Sequence, residues 1–327
     1  MVALAPPRSP QQPDSPQQEL VRHAARHLVD PLGRDLAAAV EWWDLPGLVG
    51  LGAEIGTPRD GDARDGNPAE SLRWPVAVVG QGPPLLLLHG FDSCFLEFRR
   101  LVPLLAPSHQ LFIPDLFGFG FSPRPAGADY SPRGVLAHLE AVLARIQQRS
   151  QAPIGLIGAS MGGAAAVELA RRQGATIARL LLLSPAGLTG RPMPVPPLLD
   201  GLGVRFLALP GVRRGLCRSA FADPDRDVGP AELEIASLHL ASPGWAQALG
   251  AFARSGGFAG SGSPLPPQPL QVLWGQRDRI LRPPQKRAAL ALLGDRLVEL
   301  PDCGHLPHID QPVAVAEAWQ QQGDGKR

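Results

Sequence analysis

The sequence predicts an α/β protein: a mostly parallel sheet with helices on both faces, interrupted once by a helical insertion. Three observations carry this. Short, wholly apolar runs such as Leu85–Leu88, Ile154–Ile157 and Leu180–Leu183 read as strands buried on both faces. Segments of helical period alternate with them, as at Pro132–Gln148, where Val135, Leu139, Val142 and Ile146 share one side. The alternation stops after Leu183 and resumes at Leu270. With 327 residues, 44% of them hydrophobic and 19% charged, the chain can bury a large core and is not a disordered polymer. A net charge of +1 supplies no field for drawing the whole protein to nucleic acid, so that class of partner is set aside.

Residues 1–18 are rich in Pro, Gln and Ser and read as a disordered lead. The start has no basic stretch followed by an apolar one, so no secretory signal is expected. No apolar run reaches the ~18 residues of a membrane span. Residues 19–71 read as N-terminal helices and a linker. Val21, Ala25, Leu28, Leu32, Leu36 and Ala39 keep helical spacing, and Asp30-Pro31 restarts the helix as cap and first residue. Trp42 and Trp43 close this stretch, and 56–71 is a polar, Gly-rich loop. The pair is expected to dock on the main domain; contact of residues 19–43 with a membrane surface is the alternative.

The core is expected over 72–187 and 264–327. Its first part reads as strand Trp74–Val79, strand Leu85–Leu88, helix Phe95–Leu105, strand Leu111–Pro114, helix Pro132–Gln148, strand Ile154–Ile157, helix Met161–Gln173 and strand Leu180–Leu183. The second part reads as strand Leu270–Trp274, helix Pro284–Leu293, strand Arg296–Leu300 and helix Val313–Gln320. Residues 188–263 form the insertion, with helical stretches at Pro230–Leu240 and Trp245–Arg254. Cys94, Cys217 and Cys303 are too few and too scattered for a disulfide framework or a metal site. They read as reduced thiols of a cytoplasmic protein.

Chemistry concentrates at strand ends. Ile154 to Gly163 runs from an apolar strand through Gly158-Ala159-Ser160-Met161-Gly162 into a helix rich in small residues. A Ser at such a turn takes a strained backbone that lifts its hydroxyl clear of the sheet, and side chains at Gly158 and Gly162 would collide. Acyl transfer also needs two donors aimed at the developing oxyanion. The N–H of Met161 is one candidate; the N–H of Phe91, in the loop His89-Gly90-Phe91-Asp92 after Leu85–Leu88, is the other. His89 sits where a His braces its loop rather than acting as base. In Pro114–Ser122 the Gly118-x-Gly120 spacing lacks a third Gly, since position 123 is Pro, which argues against a dinucleotide site. Asp115 is expected to tie this loop to backbone donors. Phe117, Phe119 and Phe121 are expected in the core, with the mouth of a pocket as the alternative.

These motifs resemble the α/β-hydrolase fold family over roughly residues 72–320, a group that includes carboxylesterases, thioesterases, carbon–carbon bond hydrolases and cofactor-free haloperoxidases. The resemblance implies a helical lid inserted after the sixth strand. It also implies an acid after the seventh strand, matched by Asp278 in Trp274-Gly275-Gln276-Arg277-Asp278. The base after the eighth is matched by His305 in Asp302-Cys303-Gly304-His305. Ser160, Asp278, His305 is the chain order of that fold. The chemistry agrees: a Ser hydroxyl needs a base, and the base needs a carboxylate to fix its tautomer. Rivals are Asp302, read as capping a turn, and His308, read as beginning the last helical region. Asp310 stands where relatives often carry Glu. Ser at the elbow argues against epoxide hydrolases and haloalkane dehalogenases, which use Asp there. The run His89 to Arg99 is similar to hydrolases of cyanobacteria and plastids, some of which cleave phytyl esters.

The expected activity is hydrolysis of an ester, thioester or related acyl bond, with neither metal nor organic cofactor. The alternatives are haloperoxidase-type or carbon–carbon bond chemistry on the same triad, and a non-catalytic binding protein. The insertion is rich in Leu, Val, Phe and Trp, so an apolar small-molecule substrate is expected. Arg213, Arg214 and Arg218 fall at helical spacing and are read as pointing to solvent.

Overall fold

The computed structural model describes residues 14–45, 48, 72–197 and 199–324. The expectations for residues 1–13 and for the loop at 56–71 lie outside the described residues. The chain opens with helices α1 (Pro16–His27) and α2 (Pro31–Ala38). Helix α1 begins three residues before the expected Glu19. Ser15 Oγ accepts from the Gln18 N–H, and Gln18 Oε1 accepts from the Ser15 N–H, a reciprocal cap that draws the polar start into the helix. At α2 the expected cap is present: Asp30 accepts from the N–H groups of Leu32 and Gly33.

The sheet has eight strands: β1 (Val40–Asp44), β2 (Arg73–Val79), β3 (Pro84–Leu88), β4 (Gln110–Pro114), β5 (Ile154–Ala159), β6 (Ile177–Leu183), β7 (Leu270–Gly275) and β8 (Leu297–Leu300). Their order is β1-β2-β4-β3-β5-β6-β7-β8. The pairs β1–β2 and β2–β4 are antiparallel and the rest parallel. Strand β1 lies where the sequence suggested only the end of a helical stretch. Its register sets Trp43 opposite Trp74, a pairing distant in the chain that local periodicity cannot reveal.

Between β3 and β4 the expected single helix is a short 3₁₀ turn at Phe95–Phe98 followed by α3 (Val102–Leu105). Pro103 is tolerated only in a helix's first turn, so α3 must start just before it. Helix α4 (Pro132–Arg149) links β4 to β5, and α5 (Met161–Gln173) links β5 to β6. From β6 to β7 the chain runs through α6 (Leu199–Ala208), α7 (Pro210–Ala220), α8 (Pro224–Asp227), α9 (Pro230–Leu238) and α10 (Trp245–Arg254). Then α11 (Pro283–Leu293) precedes β8, and α12 (Pro307–Asp310) and α13 (Pro312–Asp324) follow it.

Strand alternation splits the core into two layers. Leu86, Leu88 and Leu156 pack with α4, α5 and the insertion's Trp245 and Phe252. Leu85, Leu87 and Ile157 pack on the other face with Val21, Leu28 and Leu36 of the N-terminal pair and with Trp319 of α13. The apolar side of α1 and α2 is thus consumed inside the molecule. Among the described residues no helix is long and apolar enough to cross a membrane.

Candidate active site

Ser160 stands between β5 and α5 with φ 50° and ψ −118°, the strained turn expected of it. Its backbone is held by three hydrogen bonds: its N–H donates to Leu183 O, and its carbonyl accepts from Gly163 and Ala186 N–H. The flanking glycines are obligatory. A Cβ on Gly158 would lie 2.4 Å from Gly162 O, and one on Gly162 would lie 2.2 Å from Leu88 O.

From this turn a continuous polar chain runs inward. Ser160 Oγ lies 2.9 Å from His305 Nε2, and His305 Nδ1 lies 2.9 Å from Asp278 Oδ2. A carboxylate only accepts, so Nδ1 carries the proton and Nε2 is left to receive the Ser160 hydroxyl proton. Asp278 is itself fixed: Oδ1 accepts from Ile280 and Leu281 N–H at 2.9 and 3.0 Å, and Oδ2 from Trp274 Nε1 at 3.1 Å. Burial works to raise its pKa, but the His305 partner and the two backbone donors outweigh that and hold it below the usual carboxylate value. His305 is seated by its own N–H, which donates to Ala220 O at 2.7 Å, at the end of insertion helix α7.

The loop after β3 presses directly on the serine: a Cβ on Gly90 would stand 3.3 Å from Ser160 Cβ. This brings the Phe91 peptide beside Ser160, while Met161 offers the first N–H of α5, which has no intrahelical acceptor. His89 braces this loop. Its Nε2 accepts from Leu116 N–H, so Nδ1 carries the proton and donates to Gly90 O at 2.8 Å. Burial holds its pKa down at about 4, so the ring is neutral. Glu97, also buried, accepts from Gly90 N–H at 3.3 Å and lies 2.9 Å from His308 Nε2.

The rival residues separate cleanly. Asp302 is exposed and paired with Arg277, and His308 is buried against Glu97 and Phe98 rather than Ser160. Asp115 ties its loop as expected, accepting from Phe95 and Phe121 N–H at 2.6 Å each. Phe117, Phe119 and Phe121 are all buried. Phe119 also touches Phe91 and Phe252, with ring centroids 5.7 and 5.1 Å apart, so an aromatic cluster is built on the loop whose Gly90 approaches Ser160.

One expectation fails. Arg213 does not point to solvent; it is buried and paired with Asp92, and its other nitrogen donates to Ala236 O. Asp92, next to Phe91, also accepts from His239 Nε2 at 3.0 Å and Trp245 Nε1 at 2.8 Å. Burial works to raise the Asp92 pKa, and these donors with the Arg213 charge more than cancel it. Three side chains of the insertion thus converge on one carboxylate of the candidate oxyanion loop. No local pattern reveals this convergence, because Asp92 and its partners lie more than a hundred residues apart. Asp310 was another quiet position: its Oδ2 accepts from Gly304 and Ala222 N–H, fixing the His305 loop to the insertion.

A family model described as the alpha/beta hydrolase family matches residues 85–318. The chain is 26% identical over 307 residues to the Arabidopsis thaliana alpha/beta hydrolase domain-containing protein VTE7, covering 92% of this chain and 88% of that one. It is 29% identical over 262 residues to a 2-hydroxymuconate semialdehyde hydrolase of Pseudomonas, covering 76% and 89%. Among solved structures, a putative lipase of Acinetobacter baumannii superposes with a TM-score of 0.64 at 19% identity, covering 97% of this chain and 100% of that one, a likeness of fold.

Proposed function

The chain belongs to the alpha/beta hydrolase family, and from that premise we propose that it is a serine hydrolase cleaving an ester, thioester or related acyl bond of an apolar small molecule. The observation that carries this reading is the unbroken Ser160–His305–Asp278 chain, with both contacts at 2.9 Å, rooted in the strained turn at Ser160. In the proposed sequence His305 Nε2 takes the hydroxyl proton as Ser160 Oγ attacks the acyl carbon. The oxyanion is received by the N–H groups of Phe91 and Met161. His305 then gives its proton to the leaving group, and a water deprotonated by His305 releases the acyl group. Asp278 stays ionised throughout and stabilises the imidazolium.

The substrate class follows from what lies beside Ser160. Phe91, exposed and backed by the buried rings of Phe119 and Phe252, supplies apolar surface, worth roughly 0.8 kcal/mol per buried methylene. Among the described residues, the guanidiniums that reach these loops are already spent: Arg213 on Asp92 and Ala236 O, Arg124 on the carbonyls of Gly118, Ser122 and Gly120 and on Ser242. A second reading, carbon–carbon bond hydrolysis, draws on the relative named for 2-hydroxymuconate semialdehyde. An acidic substrate of that kind would need a free cation, which favours the uncharged ester.

The test joins a variant with a substrate series. Ser160→Ala should lose fluorophosphonate labelling and about 10⁴-fold or more in ester turnover while keeping its melting temperature. With wild-type enzyme, kcat/KM for p-nitrophenyl esters should rise from acetyl to medium chain lengths. Retained turnover in the variant overturns the nucleophile, and a flat or falling series overturns the apolar pocket.

A further inference from the structure

Six of the twelve exposed large hydrophobic side chains among the described residues fall between Met193 and Leu216. Leu199, Leu202, Phe206 and Leu209, each more than half exposed, recur at spacings of three and four along α6 and the residue that follows. They therefore form one stripe. The opposite side of α6 is already occupied: Val204 is buried in the core, and α6 packs on α10, whose Phe252 touches Phe91. The stripe faces away from the candidate active site, so it is not the inner wall of a substrate pocket. Met193 precedes it in the chain and Leu216 follows it on α7, 82% and 40% exposed.

Along the segment that carries it, arginines outnumber carboxylates. Arg191, Arg205 and Arg214 are exposed on this segment. Its one carboxylate between residues 186 and 222, Asp200, is paired with Arg254. The chain as a whole is nearly neutral, so this asymmetry is local. An apolar helical stripe flanked by arginines, with no uncompensated acid, matches a surface that is apolar within and negative at its face.

We propose that the outer face of α6, with Met193 and Leu216, docks the protein onto the surface of a bilayer containing anionic lipid. The stripe enters the acyl boundary and Arg191, Arg205 and Arg214 meet the phosphate groups. The insertion that carries the stripe also supplies Ala220 O to His305 and Arg213 to Asp92, so docking would hold against the lipid the same segment that seats the candidate base. The docking does not depend on the proposed chemistry, and its test uses no turnover.

The experiment is flotation of the full chain with vesicles of equal parts phosphatidylglycerol and phosphatidylcholine, and separately with phosphatidylcholine alone. Wild-type protein should float with the anionic vesicles, less with the neutral ones, and less as salt is raised. The double variant Leu202→Ser, Phe206→Ser should partition about tenfold less or weaker still, and Arg205→Gln with Arg214→Gln several-fold less. These positions are exposed, and unchanged melting curves verify folding. Absence of flotation, flotation that the stripe variants retain, or a stripe-dependent dimer in sedimentation without vesicle binding each overturn the proposal.

Discussion

The two halves of the candidate active site are held by different forces. On the sheet side, Ser160 is fixed by backbone bonds to Leu183, Gly163 and Ala186, and by glycines that leave the turn no other conformation. On the insertion side, position depends on a few buried charges. Arg213, His239 and Trp245 converge on Asp92, while Arg99 and Arg100 join Glu232 of α9, Arg99 also reaching Asp30 at the start of α2. The Val29 N–H adds a bond to Glu234 of the same helix. A backbone-built turn tolerates change around it, because no single side chain carries it. A charge-built seam concentrates its stability in a few groups, each costly to leave alone in a buried site.

That contrast can be broken most sharply at Asp92. Asp92→Ala leaves the Arg213 guanidinium buried without its carboxylate, and about 3–5 kcal/mol of stability should be lost. Thermal melting measures that loss. Asp92→Asn keeps an acceptor for Trp245 and should recover part of it. Because the Phe91 peptide adjoins Asp92, kcat should fall in both variants while Ser160 still labels. A variant that melts like wild type would mean the insertion is held elsewhere.

A smaller effect sharpens the comparison between buried and exposed pairs. Arg99 lies 2.5 Å from Asp30 and 3.1 Å from Glu232, with its side chain only 2% exposed. Arg99→Met leaves Asp30 without its cation and Glu232 with Arg100 alone, and should cost about 3 kcal/mol. Arg277 and Asp302 are equally close at 2.5 Å but both largely exposed, so Asp302→Asn should stay within about 0.5 kcal/mol. Urea denaturation of the two variants reads the difference directly. Equal losses would remove burial as the deciding quantity.

A last effect is graded, and accumulates as acid is added. Burial holds His89 at about 4 and His138 at about 3, both below the ordinary value of 6.5. Below about pH 6.5 the unfolded chain therefore binds protons that the folded chain does not. Stability should fall by up to about 1.4 kcal/mol per pH unit for each ring as pH drops toward 4, with no loss from these groups above neutrality. His138 packs against Trp74 in a tilted contact, ring centroids 4.8 Å apart, so His138→Phe should keep the packing and flatten the slope measured by denaturation at stepped pH. An unchanged slope would exclude His138 from the linkage.

Much of the fold was legible because its signals are local. The limits of α5 and α10 agree with the sequence reading to the residue, since Ser160-Met161 and Gly244-Trp245 open each helix at a break in pattern. The strands β3, β5 and β6 were visible as apolar runs because both their faces are covered. Strand β1 was hidden, since its partner is distant and its Trp42-Trp43 pair suits either state. The 3₁₀ turn at Phe95–Phe98 was read as helix because its side chains are as buried as those of a helix face.

By itself the sequence determined the residue types at each strand end: a Ser between glycines, an Asp after β7, a His after β8. Those identities follow from backbone strain and chain order, which short motifs record. Only the tertiary structure decided which groups meet. Asp92 and Arg213 looked like loop and surface residues, and folding made them a buried pair joining the insertion to the loop beside Ser160. Leu199, Leu202 and Phe206 belong to an insertion whose apolar content says nothing of which side each faces, and folding left them outside, because α6 turned Val204 inward. A side chain's partner depends on the orientation of elements distant in the chain, and that orientation is set by packing of the whole molecule.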